Sequence, residues 1–366
     1  MLFRSPDPLV ARLGGDEFGV LLPGAGLARA QEVARLLGRA FTEHPLSLDD
    51  SLVDLSAAFG IALAPTHAEH TEVLLGRALL ALGEAKRRMA DVMVYDPAQD
   101  AGSAQTLSLL GELRRALRQH ELRLYLQPKL SLATGEVCGA EALVRWQHPE
   151  RGLVPPVQFI PFAEETGFIH ELTLWVVEEA ARHAALLREH GVSLKLSVNL
   201  SAHDLMKPDL LPRLQRALRS QDLAPQALCL EITESAIAHD PARALQTLAA
   251  MKAAGFSLSI DDFGAGQTSL AQLIGLPVDE LKLDMLFVRA MDQDPQKASM
   301  VGSLIRLGHD RGLSVVAEGV ENAAILALLR GLGCDQAQGW HIGKPMPAGE
   351  LASWVQARRV LAAVRG

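Results

Sequence analysis

Cysteine is scarce. The three in 366 residues, Cys138, Cys229 and Cys334, are far apart and form no CxxC pair. This argues against a disulfide framework or a structural zinc site and fits a reducing cytosol. Long apolar runs are missing too, with nothing approaching the roughly 18 residues of a membrane span. The opening Met1-Leu2-Phe3-Arg4-Ser5-Pro6 has none of the architecture of a signal peptide. A cytoplasmic protein with no membrane segment in this chain is expected. Basic charge is in deficit, 35 Lys and Arg against 43 Asp and Glu for a net charge of -8. Non-specific nucleic-acid binding, which needs basic surface, is therefore not expected. Any phosphate-bearing ligand would need metal ions and a few local basic residues. What the chain does have is 49% hydrophobic residues with only 21% charged, enough for one large domain and a smaller one.

Residues 1–100 read as a short α/β piece. Val10 to Leu13, Gly14-Gly15-Asp16 and Phe18 to Leu22 spell strand, tight turn, strand. Leu27 to Thr42 and Thr71 to Arg88 have helical periodicity. Leu52 to Leu63 and Val92 to Tyr95 read as strands. A linker is expected at 101–108, next to a stretch rich in Asp, Ala, Gly and Pro, and a second domain over 109–362, entered by a helix from Leu107 to His120.

In that second region seven apolar strands alternate with long amphipathic helices. The strands are Leu122–Leu126, Val137–Val144, Leu194–Val198, Leu228–Ile232, Ser257–Ile260, Glu280–Leu283 and Ser314–Ala317. Repeated β/α units over this length predict a TIM-type (β/α)8 barrel. A doubly wound sheet would show a Gly-rich phosphate loop after its first strand, and none is visible.

Oxygen-bearing or basic residues mark the strands and their ends: Glu141, Asn199, Glu231, Asp261, Asp262, Lys282, Glu318 and Gln338. In a parallel barrel such ends share one rim, where barrel enzymes place their active sites. One carboxylate there is ordinarily a helix cap or a loop ion pair. So many in step, with few cations, would repel each other unless a divalent metal resolved the conflict. Oxygen donors without a Cys or His cluster favour Mg2+ or Mn2+ over zinc, and the neighbouring Asp261-Asp262 could serve two ions. Spacing alone leads to a barrel metallohydrolase.

The motifs themselves resemble those of EAL-domain phosphodiesterases. Glu141-Ala142-Leu143-Val144-Arg145-Trp146 opens the match, which continues through Ser197-Val198-Asn199-Leu200-Ser201 and Glu231-Ile232-Thr233-Glu234-Ser235. Asp261-Asp262-Phe263-Gly264, Leu281-Lys282-Leu283-Asp284, Glu318-Gly319-Val320-Glu321 and Gln338-Gly339 complete it. The resemblance implies hydrolysis of cyclic di-GMP to linear pGpG with two Mg2+ or Mn2+ ions. It implies that Glu141, Asn199, Glu231, Asp261, Asp262, Glu318 and Gln338 form the metal site. Glu141, Glu318 and Lys282 would carry the catalysis, with Lys282 as general base or holding the attacking water. The base role requires a lowered lysine pKa. Arg145 would bind a ligand phosphate, Gln127, Leu143 and Asp284 would line the substrate pocket, and Glu234 would pin the loop after Asp262. That loop departs from the family at Gln267-Thr268, where an aromatic residue and a serine are usual. A homodimer through the barrel is implied as well. The alternative reading is a non-catalytic cyclic di-GMP receptor; the full ligand set favours the enzyme.

Arg12-Leu13-Gly14-Gly15-Asp16-Glu17-Phe18 resembles the signature of GGDEF-domain diguanylate cyclases. The upstream strand that a cyclase needs for metal and phosphate does not precede it. The piece is thus expected to be a truncated, regulatory or inactive domain, in a fragment of a longer sensor protein or a chain with a misassigned start. His67 and His70 sit in a loop without further ligands and are expected to be structural.

Overall fold

A computed structural model describes residues 8–365 except 15–16, 44–45, 49–50, 54–56, 89, 97–102, 239 and 265–274. Gln267 and Thr268 thus lie outside the described residues. The chain divides into two compact units, Met1–Gly111 and Glu112–Gly366. In the first, Leu9–Gly14 pairs antiparallel with Glu17–Leu21, and the helices Leu27–Glu43 and Thr71–Arg88 form where the periodicity places them. The single strand expected over Leu52 to Leu63 is instead two short ones. Ser51–Val53 closes a hairpin with Leu46–Leu48, whereas Phe59–Ile61 pairs in parallel with Val92–Val94. His67 Nδ1 accepts a hydrogen bond from the Leu63 amide at 3.0 Å, a structural role. The helix expected from Leu107 begins earlier, at Ser103, and runs to Arg118.

The second unit is a closed eight-stranded barrel. Its strands are β1 (Leu122–Ser131), β2 (Val137–His148), β3 (Lys195–Leu200), β4 (Leu228–Thr233), β5 (Ser257–Phe263), β6 (Glu280–Leu283), β7 (Ser314–Ala317) and β8 (Gln336–Gln338). From β2 to β8 each pairs in parallel with the next. β1 is the exception, antiparallel to both β2 and β8. The reason is the short turn through Thr134-Gly135, with Gly135 at φ +73°. A turn of that length joins antiparallel strands, whereas a parallel pair needs a crossover of roughly a dozen residues or more. β8 escapes an apolar-run criterion because Gln336-Ala337-Gln338 is mostly polar.

Two-residue alternation sorts each strand between two environments. Leu196, Val198, Leu230, Ile232, Leu258, Ile260, Leu281, Leu283, Val315 and Ala317 are all buried, forming the apolar layer between the barrel and its helices. The intervening residues point inward, and here the barrel departs from its usual branched aliphatic filling. Buried inside are Gln127, Lys129, Glu141, Ser197, Glu231, Ser259, Glu280, Lys282 and Gln338. Two of the outer helices start on Asp-Pro pairs that cap and pre-set the first turn. Asp240 accepts from the Arg243 amide, and Asp294 from those of Gln296 and Lys297.

Candidate active site

Lys282, 1% exposed, is the centre of the interior. Its Nζ lies 2.7 Å from Glu231, 2.8 Å from Glu318, 3.0 Å from Asp261 and 3.7 Å from Glu141. Burial works against its charge, yet the four carboxylates outweigh it and hold the ammonium well above the ordinary lysine range. The lowered pKa that a lysine base requires is thus opposed by the carboxylates around it.

One ammonium cannot balance four acids. Glu231 is also buried, but Lys129 and Lys282 bond its two oxygens and keep it ionised, down to about 2. Among the described residues the one cation that Asp261 and Glu318 pair with is Lys282. Burial, reinforced by neighbouring carboxylates, pushes Asp261 up to about 6 and Glu318 up to about 8. The site therefore carries more acidic groups than its lysines balance, and Asp261 and Glu318 hold their protons to higher pH than ordinary carboxylates.

β5 delivers two acids in succession through a backbone irregularity. Regular alternation would turn Asp262 away from Asp261. Instead the register with β6 shifts between Ile260 and Phe263, and Asp262 adopts φ +55°, a left-handed conformation that Asp tolerates better than most residues. Both side chains then serve the same site. Glu141, Glu231 and Asp261 converge to one oxygen each within 4.8 Å of one another, and Asp261, Asp262 and Glu318 do likewise. Asp261 belongs to both groups.

The amides complete the ring. Asn199 donates to Glu141 Oε1 at 2.9 Å, and Gln338 donates to Glu141 Oε2 at 2.6 Å and to Gln127 Oε1 at 3.2 Å. Among the described residues the buried Gln338 Oε1 has no hydrogen-bond partner, and it is an acceptor suited to a metal ion or its water. Gly339 follows because the backbone of Val320 leaves no room for a Cβ, which would meet its carbonyl oxygen at 2.2 Å. Hard oxygen donors, surplus negative charge and an orphaned acceptor fit Mg2+ or Mn2+.

Towards the mouth, the reversed β1 sets Gln127 opposite Glu141 and Tyr125 opposite Leu143. The half-buried Arg145 guanidinium lies 5.7 Å from the Tyr125 ring centroid. Asp284 caps the short helix after β6 through the Leu286 amide and faces Asp262; burial and this acidic neighbour raise the Asp262 pKa. Glu234 accepts from the Gly264 amide at 3.2 Å, at the start of the loop expected to depend on it. Trp340 is 62% exposed, with Lys344 over its ring.

Two members of the interior cluster were not expected from the sequence. Lys129 Nζ bonds Glu231 Oε1 at 2.7 Å and Ser197 Oγ at 2.8 Å, with Glu280 at 3.5 Å. The available signal was spacing: Lys129 lies two residues from Gln127 and so shares its inward face, and Glu280 stands in the same relation to Lys282.

Comparison with known proteins bears on the family and the fold. The EAL domain profile matches residues 110–345, and the profile "Diguanylate cyclase, GGDEF domain" matches residues 2–91. The chain is 38% identical over 348 residues to the bifunctional diguanylate cyclase/cyclic di-GMP phosphodiesterase MucR of Pseudomonas aeruginosa, covering 94% of this chain and 51% of that protein. It is 35% identical over 351 residues to the cyclic di-GMP phosphodiesterase PdeR of Escherichia coli, covering 95% and 52%. The chain thus spans about half the length of these curated relatives. Among solved structures, the PaMucR phosphodiesterase in complex with c-di-GMP is 41% identical with a TM-score of 0.64, covering 67% of this chain and 99% of that one. The EAL enzyme Bd1971, bound to cAMP and cyclic di-GMP, is 27% identical with a TM-score of 0.67, covering 79% and 77%. By its matched motifs, its closed barrel and these relatives, the chain belongs to the EAL-domain family and carries a GGDEF-family region ahead of the barrel.

Proposed function

We propose that the barrel hydrolyses cyclic di-GMP to linear pGpG with two Mg2+ or Mn2+ ions. The observation that carries this reading is the pair of carboxylate groups sharing Asp261, Glu141/Glu231/Asp261 and Asp261/Asp262/Glu318, around one buried lysine. Glu141, Asn199, Glu231, Asp261, Asp262, Glu318 and Gln338 would hold the metal. Bound divalent ions polarise a phosphoryl oxygen and acidify water, the chemistry that in-line attack on a phosphodiester needs.

The protein's own groups do the rest. Lys282, kept as an ammonium by its carboxylates, is better suited to orienting the attacking water and offsetting negative charge than to taking a proton. Arg145 presents a guanidinium fork to a ligand phosphate, a geometry that lysine lacks. Leu143, Gln127 and Asp284 shape the substrate end of the site. Glu234 fixes the chain just beyond Asp262. The GGDEF-family region acts as a regulatory, non-cyclising module in this reading, and the barrel pairs with a second copy of itself. We place the protein in the cytoplasm, in keeping with its three free thiols; among the described residues no helix is long and apolar enough to cross a membrane.

The deciding experiment incubates the purified chain with cyclic di-GMP and Mg2+ or Mn2+ and separates the products by chromatography. Linear pGpG that disappears on adding EDTA supports the hydrolase. Tight binding without product would establish the receptor instead, and sedimentation of the same sample tests the dimer.

A further inference from the structure

The two oxygens of Glu231 have different surroundings. Oε2 faces the acidic cluster and accepts from Lys282 at 2.7 Å. Oε1 points to the deeper layer of the barrel, where Lys129 donates to it, also at 2.7 Å. Lys129 is itself held in place. It donates to Ser197 Oγ at 2.8 Å and lies 3.5 Å from Glu280, whose other oxygen accepts from Gln336 at 3.2 Å. Gln336 in turn reaches Ser314 Oγ at 3.3 Å. The Lys129 side chain is only 3% exposed and the Glu231 side chain 0%, so water is poorly placed to substitute for either partner. Rotating Glu231 to offer both oxygens upward would strip this ammonium of its best acceptor, which is costly in a buried layer.

We propose that Lys129 is a positioning residue that sets metal selectivity. By holding Oε1 of Glu231 it limits that carboxylate to a single oxygen towards the site, and so disfavours Ca2+ relative to Mg2+ and Mn2+. The chemical basis is the difference in coordination demand. Ca2+ takes six to eight oxygens and readily uses both oxygens of one carboxylate, whereas Mg2+ keeps a tight octahedron. Partners that orient a ligand without touching the ion typically change metal affinity by about ten- to a hundredfold when removed. Deleting the Lys129 charge also changes the attraction for any divalent cation, but equally for each, so the ratio of two affinities isolates the geometric effect. The inference rests on the metal site proposed above.

The test is calorimetric titration of the full chain with CaCl2 and with MnCl2, in the parent, Lys129→Met and Lys129→Gln, with no substrate present. Thermal melts establish that each variant folds cooperatively. The expected result is a shift of the affinity ratio towards Ca2+ of about tenfold in Lys129→Met and a smaller one in Lys129→Gln, whose amide can still donate to Oε1. Should Lys129→Met fail to melt cooperatively, Lys129→Met combined with Glu280→Gln removes one charge of each sign and takes its place. A folded Met variant whose ratio stays within about threefold of the parent overturns the proposal, since removing an orienting partner is expected to do more. Failure of the parent chain to bind either ion is a different result: it removes the metal site itself.

Discussion

Metal entry into the site must displace protons, and the count is specified by the carboxylates. At pH 7, Glu318, raised to about 8, is mostly protonated, whereas Asp261, raised to about 6, is mostly ionised. Glu231, held at about 2, contributes nothing. Lys282, raised far above neutrality by its four acidic neighbours, has a proton that it keeps unless the ions expel it. Binding of Mn2+ at pH 7 should therefore release about one proton per site, falling towards zero at pH 9, where Glu318 is mostly ionised. The apparent affinity should rise with pH up to about 8, since below the raised pKa values the ion competes with protons for the same oxygens. Calorimetric titrations in buffers of different ionisation enthalpy give the number directly. Release near zero at pH 7 would refute the protonated Glu318. Release near two would mean that a second proton leaves as the ions enter, from Lys282 or from water that they acidify, and the same titration in Lys282→Ala separates the two. Paired with that variant, the assay distinguishes a charge-bearing lysine from a basic one.

Three further outcomes are expected. Glu141→Ala should abolish formation of linear pGpG, because it removes a ligand that also anchors Asn199 and Gln338; turnover near the parent's in the chromatographic assay would contradict the site. Lys282→Ala should retain cyclic di-GMP binding, measured by calorimetry, while turnover falls by about two to four orders of magnitude. Trp146→Ala should destabilise the barrel by about 3–5 kcal/mol in denaturant titration, since the ring is fully buried against Phe159 and bonded to Glu121 at 3.1 Å.

The sequence makes the outline of the site legible because its acids recur with the strand rhythm. Glu141, Glu231, Asp261 and Glu318 each sit in or at the end of an apolar run, and barrel topology brings them to one rim. The rest depends on features that hydrophobicity does not report. β8 is three residues long with two glutamines, so an apolar criterion passes over it. The reversal of β1 follows from a tight turn rather than from the strand itself. Lys129 and Glu280 resemble surface charges until the inward face is traced residue by residue from Gln127 and Lys282. The protonation pattern was also hidden, since an isolated motif does not show that a single lysine serves four carboxylates.

The displaced register at Asp261-Asp262 bears on how relatives of this chain should be compared. Bringing two consecutive side chains to one site depends on a single residue of slack in β5 and on one left-handed backbone unit. A deletion of one residue nearby could straighten the strand, leave every acidic letter in place and turn Asp262 towards the helices. Such a protein would pass an inventory of ligands while lacking one of the three carboxylates of the second group. Loss of chemistry in this lineage can therefore be written in spacing as well as in substitution, and an alignment that absorbs a one-residue gap beside Asp262 discards the character that separates the two cases.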